Sequence, residues 1–186
     1  MDYKLRGTKG EAVEDLSRIL ERATKAIADP YFKLPVQGGD PVFRERVYCY
    51  ELYHCMRCRW PKQSKFLLNG EVDKSGHSIV KGNWKPDLLV HGPGFMQLNY
   101  AIIEVKSIDA KRHELRNDLA KLSAFVREWN YRRGLFLIYG TGQDTHMYER
   151  ILMEAQQLEQ LAPTEIWFHP SVGAPARLEG TLPGKF

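Results

Sequence analysis

Two stretches decide how this chain folds: Lys85-Pro86-Asp87-Leu88-Leu89-Val90-His91 and Tyr100-Ala101-Ile102-Ile103-Glu104-Val105-Lys106. The first is a short apolar run behind an aspartate, closed by Gly92-Pro93-Gly94, and reads as a strand with a turn after it. The second is apolar and β-branched, as a central strand is. Two adjacent strands joined by a loop set paired positions about 5 Å apart, which can bring Asp87 beside Glu104. Glu104 and Lys106 are two residues apart and point to the same face of a strand. Two carboxylates and one ammonium then share a small volume.

Such a grouping has a chemical use. Neighbouring carboxylates raise each other's pKa unless a cation lies between them. Mg²⁺ is a hard ion that prefers carboxylate oxygens and keeps several waters. A bound metal polarises a phosphate and lowers the pKa of a water. A nearby lysine can orient or deprotonate that water, or neutralise charge in the transition state. The plainer reading is that Glu104 and Lys106 decorate the end of a strand.

Outward from these strands, the periodicity predicts a helix over 8–28, with Thr8 and Glu11 spaced as a capping box and Val13, Leu16, Leu20, Ala23 and Ile27 along one stripe. Residues 30–42 hold much Pro and Gly and read as a loop. A second helix is expected over 43–59, a strand or strand edge over 65–72, and a helix over 111–130 with Leu115, Leu119, Leu122, Val126 and Trp129 on one stripe, ended by Gly134. Leu135–Tyr139 is continuously apolar, as a strand buried on both faces is. A helix over 145–161 capped by Asp144 and a strand over Glu165–His169 follow. The tail from Pro170 reads as irregular.

Pro86-Asp87, a gap, then Glu104-Val105-Lys106, set in the order helix, three strands, helix, strand, resembles the PD-(D/E)xK superfamily of restriction-endonuclease-like nucleases. The resemblance covers about 43–140. It implies an α/β fold: a restriction-endonuclease-like core with a central mixed β-sheet flanked by helices, plus an N-terminal helix. The organisation expected is an N-terminal helix and loop over 1–42, a nuclease-like core over 43–169 and an irregular tail over 170–186. The activity implied is phosphodiester hydrolysis by a metal-dependent nuclease, most simply a DNA endonuclease. By the same resemblance Asp87 and Glu104 ligate Mg²⁺ or Mn²⁺ with the Val105 carbonyl, and Lys106 positions or activates the water. Glu51, on the helix before the strands, would bind a second metal or hold a metal-bound water, or is a solvated helix carboxylate. The alternative is a catalytically inactive nucleic-acid-binding or assembly subunit on the same fold.

Other residues bear on the partner. Arg57, Arg59 and Lys62 around Trp60 suit a phosphate track with stacking, or are a solvated helix end. Asp118 and Lys121 lie on the helix after Lys106, which faces the site in the superfamily that the motif resembles; Lys121, beside Leu122, could reach a phosphate or could snorkel to the surface. Glu71 and Asp73 could support the site from a neighbouring strand. His77 and His91 flank the pocket strands. Cys55-Met56-Arg57-Cys58 lacks the second ligand pair that a zinc site needs.

The 186 residues carry a formal net charge of +4, 43% hydrophobic and 27% charged residues. This suits one globular domain with a core of its own and is compatible with a nucleic-acid partner. No apolar run approaches the ~20 residues needed to cross a bilayer, and three cysteines between 49 and 58 make no disulfide framework. The expectation is a cytoplasmic protein whose N-terminal helix could serve as a homodimer or partner-protein face.

Overall fold

The computed structural model describes residues 11–70, 84–142 and 144–185. The elements are α1 (Glu11–Lys25), α2 (Asp29–Phe32), β1 (Leu34–Val36), β2 (Gly39–Val42), α3 (Glu45–Cys58), β3 (Leu67–Gly70), β4 (Leu88–His91), β5 (Asn99–Ser107), α4 (Arg112–Glu128), β6 (Arg133–Tyr139), α5 (Asp144–Gln156), β7 (Thr164–His169) and β8 (Arg177–Leu182), with one 3-10 turn at Met96–Leu98. The fold is α/β. A mixed six-stranded sheet runs in the order β3-β4-β5-β6-β7-β8. The pairs β3–β4, β4–β5 and β7–β8 are antiparallel, whereas β5–β6 and β6–β7 are parallel. Each parallel step is bridged by a helix, α4 then α5, as parallel connections require.

Side-chain alternation divides the core into two layers. Ala101, Ile103 and Val105 of β5, with Leu88 and Val90 of β4, pack with Leu16, Leu20, Leu52 and Met56 of α1 and α3. Ile102 and Leu89 face the other way, onto Leu115, Leu119, Leu122 and Phe125 of α4. Both faces of the central strands are covered, which explains the unbroken apolar run of β6. By the same parity Asp87, Glu104 and Lys106 belong to the α4 side of the sheet.

Several expectations change. The segment 30–42 holds a two-stranded ribbon, β1 with β2, turning at Gly38, whose φ of +74° suits a residue without a side chain. The tail is not all irregular: Arg177–Leu182 forms the edge strand β8 on β7. There tertiary pairing overrides a composition poor in strand formers. Helix α4 stops at Glu128, five residues before β6 begins, with Asn130 in the left-handed region at φ 58°. Gly134 lies inside β6, where a side chain would press on Val126. The apolar stripe of α1 is not a free face, because Leu16, Ile19, Leu20 and Ala23 are buried in the chain's own core. Thr8, Glu71, Asp73 and His77 lie outside the described residues. Among the described residues no helix is long and apolar enough to cross a membrane.

The α3 face also encloses a histidine. His169 is 0% exposed, and its Nδ1 lies 2.8 Å from the Tyr48 hydroxyl. The Phe32 ring stands edge-on at 4.9 Å, and Tyr48 stacks on Tyr139 at 3.8 Å. Burial pulls the imidazole down to about 4, so the unfolded chain binds this proton more readily than the folded one. The stability linked to His169 is therefore complete above pH 6.5 and drains away as pH falls toward 4. At about 1.4 kcal/mol per pKa unit the loss is roughly 3 kcal/mol. We expect the gap in unfolding free energy between wild type and His169→Gln, followed by urea denaturation, to shrink by about that amount across this window. A gap that stays constant with pH would contradict the burial account.

Candidate active site

The site forms where the start of β4 and the end of β5 meet the first turn of α3 and the middle of α4. Register is the first cause. Leu88 pairs with Ile103, so the residue before β4 falls opposite Glu104. The backbone amide of Val105 donates to Asp87 Oδ2 at 2.8 Å and fixes that carboxylate against the strand. Glu104 follows on the same face with no exposure at all.

Two lysines answer the carboxylates. Lys106 Nζ donates to Glu45 Oε1 at 2.6 Å and lies 3.0 Å from Asp118 Oδ2. The Asp118 contact is an ion pair whose direction is poor for a hydrogen bond. Lys121 Nζ donates to Glu104 Oε2 at 2.8 Å and lies 3.1 Å from Asp118 Oδ1. Asp118, nearly buried, thus bridges the two ammoniums. The other oxygen of Glu104, Oε1, is buried without a hydrogen-bond partner.

The electrostatics follow from this packing. Burial raises the Glu104 carboxyl well above its ordinary range; Asp87 and Asp118 push it further, and Lys121 offsets only part. Burial also raises Asp87, opposed by the Val105 amide and Lys106. Glu45 is raised by burial against the pull of Lys106. For Lys106, burial alone would lower the ammonium, but Asp118 and Glu45 outweigh it and hold it above the usual lysine range. Lys106 is therefore a permanent cation at neutral pH. An ammonium so held can orient a water or neutralise charge.

Asp87, Glu104 and Lys106 come together as their spacing suggested, with the Val105 backbone between them. Glu51 does not join them. Its carboxylate takes the Cys55 thiol at 3.6 Å, and it lies on a helix that covers the opposite face of the sheet. Only the first turn of α3 overhangs the strand ends, so the helix carboxylate that reaches the cluster is Glu45. At 100° per residue, Glu45 continues the buried stripe of Tyr48, Cys49, Leu52 and Met56, whereas Glu51 lies about 100° off it. Extending that stripe back by one turn would have found Glu45. Asp118, singled out with Lys121 in the sequence, lies three residues after Leu115 and four before Leu122 on the buried face of α4.

The basic residues redistribute too. Lys121 is inside the site and not a surface lysine. Arg57 is twelve residues along α3 from Glu45, about 18 Å away by helical rise. Arg59 Nη1 donates to the Cys55 carbonyl at 2.9 Å and ties down the helix end; Lys62 is exposed beyond it. The exposed cations near the cluster in the chain are Arg44, Arg46, Lys85, Lys111 and Arg112. His91 pairs with Asn69 at 3.0 Å. The cysteines are free, Cys49 and Cys55 buried and Cys58 exposed.

No family model, curated protein or solved structure matches the chain. Among the described residues no group of three or more His, Cys, Asp and Glu side chains is arranged to hold a metal ion. Glu104 Oε1 is an orphaned acceptor in a dry place, and four carboxylates face two ammoniums.

Because the folded state disfavours the charged form of Glu104, ionisation costs stability above the ordinary carboxyl pKa and costs nothing below it. Glu104→Gln is expected to raise Tm at pH 8 in EDTA, with the difference fading as pH falls toward 4.5; each 1 kcal/mol appears as about 2–4 °C in a chain of this size. A lower Tm at pH 8 would show that the Lys121 pair dominates over burial.

Proposed function

We propose that the chain is a metal-dependent nuclease that hydrolyses phosphodiester bonds, on a restriction-endonuclease-like core with a PD-(D/E)xK site. The observation that supports this reading is the placing of Asp87, tied to the Val105 amide, opposite the buried Glu104 at the β4–β5 pair, with Lys106 on the same face. The order α3, β3, β4, β5, α4, β6 is also that of the superfamily the motif resembles. The substrate proposed is nucleic acid, most simply DNA. Exposed Arg44, Arg46, Lys85, Lys111 and Arg112 supply positive charge for its backbone.

The residues that would hold Mg²⁺ or Mn²⁺ are Asp87, Glu104 through Oε1, and the Val105 carbonyl. Such an ion, when bound, polarises the scissile phosphate and makes a water more acidic. Lys106 is held in place by Glu45 and Asp118, so its charge is aimed before substrate arrives. That preorganisation stabilises negative charge growing on the phosphate without a reorientation cost. Asp118 holds both lysines by their ammoniums. Glu45 replaces Glu51 in the role of helix carboxylate and orients Lys106.

A second reading has one observation in its favour. Lys121 already occupies one Glu104 oxygen, as it would in an inactive nucleic-acid-binding subunit on the same fold.

The test is cleavage of plasmid, linear and single-stranded DNA and of RNA with Mg²⁺, Mn²⁺ or EDTA. Wild type should cut at least one substrate with metal and none with EDTA. Lys106→Ala and Asp87→Asn should each lose about a hundredfold or more, the usual scale for removing one preorganised charge-stabilising group. Binding without cleavage under every condition would support the inactive subunit, and variants that cut as well as wild type would place the site elsewhere.

A further inference from the structure

The role of Lys121 is what the site's own stoichiometry of charge decides. Its ammonium is 2.8 Å from Glu104 Oε2 and 3.1 Å from Asp118 Oδ1, with the side chain 16% exposed. It comes from α4 and lies outside the strand motif altogether. The partner oxygen, Glu104 Oε1, is fully buried and has no hydrogen bond. A buried carboxylate with one oxygen held by an ammonium and one left bare is half-satisfied, and that remaining half points to a ligand.

We infer that Lys121 is a built-in cation that fills one side of the Glu104 carboxylate, so that the site accepts one divalent metal ion per chain. The inference rests on the metal-dependent reading above and narrows it. Two geometric facts carry it. In two-metal sites the ions lie about 3.5–4 Å apart, close enough to share a bridging carboxylate; Glu104 is the most buried candidate, and the Lys121 ammonium stands against its Oε2, where it would repel a second cation. Asp87 in turn spends one oxygen on the Val105 amide. What remains is one oxygen from each, the small protein share that a Mg²⁺ ion accepts alongside waters.

The charges agree. Glu45, Asp87, Glu104 and Asp118, ionised, set four negative charges against the two positive charges of Lys106 and Lys121. One divalent ion closes the remaining deficit. A second would leave the enclosed site with two uncompensated positive charges, which a desolvated place resists. Replacing Lys121 with a neutral side chain frees Glu104 Oε2 and adds one negative charge, so both restraints on a second ion weaken together.

The experiment is titration of the metal-free full chain with Mn²⁺, read as free-ion signal by electron paramagnetic resonance, for wild type, Lys121→Met and Lys121→Gln. Circular dichroism melts establish that each variant is folded. Wild type should bind one equivalent, a result that stands even if a variant fails to fold. The variants should take up a second equivalent, or hold the first at least tenfold more tightly. Two equivalents in wild type, or variants indistinguishable from wild type, overturn the inference while leaving the nuclease reading intact. No Mn²⁺ bound by wild type overturns both.

Discussion

The hydrogen bond from the Val105 amide to Asp87 ties the antiparallel β4–β5 pair to the chemistry at its end. Because Leu88 pairs with Ile103, Asp87 must come opposite Glu104, and a slip of one residue would turn every side chain of β4 to the wrong layer. The core enforces that register: Leu88 and Val90 fill the α3 side and Leu89 the α4 side. Once two carboxylates are fixed at a dry strand end, their surroundings have little freedom. Their charge calls for cations, which are Lys106 on β5 and Lys121 on α4, and the further groups within reach are those on the first turn of α3 and the middle of α4. Glu45, Asp118 and Lys121 sit there, and the charge cluster joins the two helical layers across the end of the sheet.

Much of this was readable in the sequence. The strands came from unbroken or alternating apolar runs, α4 from its leucine spacing, and the Asp87–Glu104–Lys106 grouping from strand parity. These are local properties, and local rules carried them. What the sequence withheld depends on which elements end up adjacent. The tail carries Gly and Pro, yet Arg177–Leu182 pairs with β7 because an edge was open there. Arg57, Arg59 and Lys62 form a cluster in the chain that suggests a track, but α3 carries them to the far end from Glu45. The apolar stripe of α1 predicted a buried face correctly and said nothing of whose core would bury it. Glu51 drew attention by its place before the strands, whereas the helical angle selects Glu45.

The same cluster sets stability against use. A core position filled by an ionised carboxylate with an orphaned oxygen is worse for folding than a neutral or apolar one. Natural chains tolerate such cost where a site needs it. Lys106 shows the other side of the arrangement. Its two carboxylate partners favour its charged form and hold the ammonium between them. In the proposed site the lysine of the motif supplies a fixed charge, and the lysine of α4 limits what the acids can bind.

The central claim is that the strand-end acids form one metal site, and diffraction at the manganese edge tests it most directly. Crystals soaked in Mn²⁺ should show a single anomalous peak adjoining the carboxylates of Asp87 and Glu104, with Lys121 still on Glu104. No peak there, or a peak held by other residues, would contradict the account.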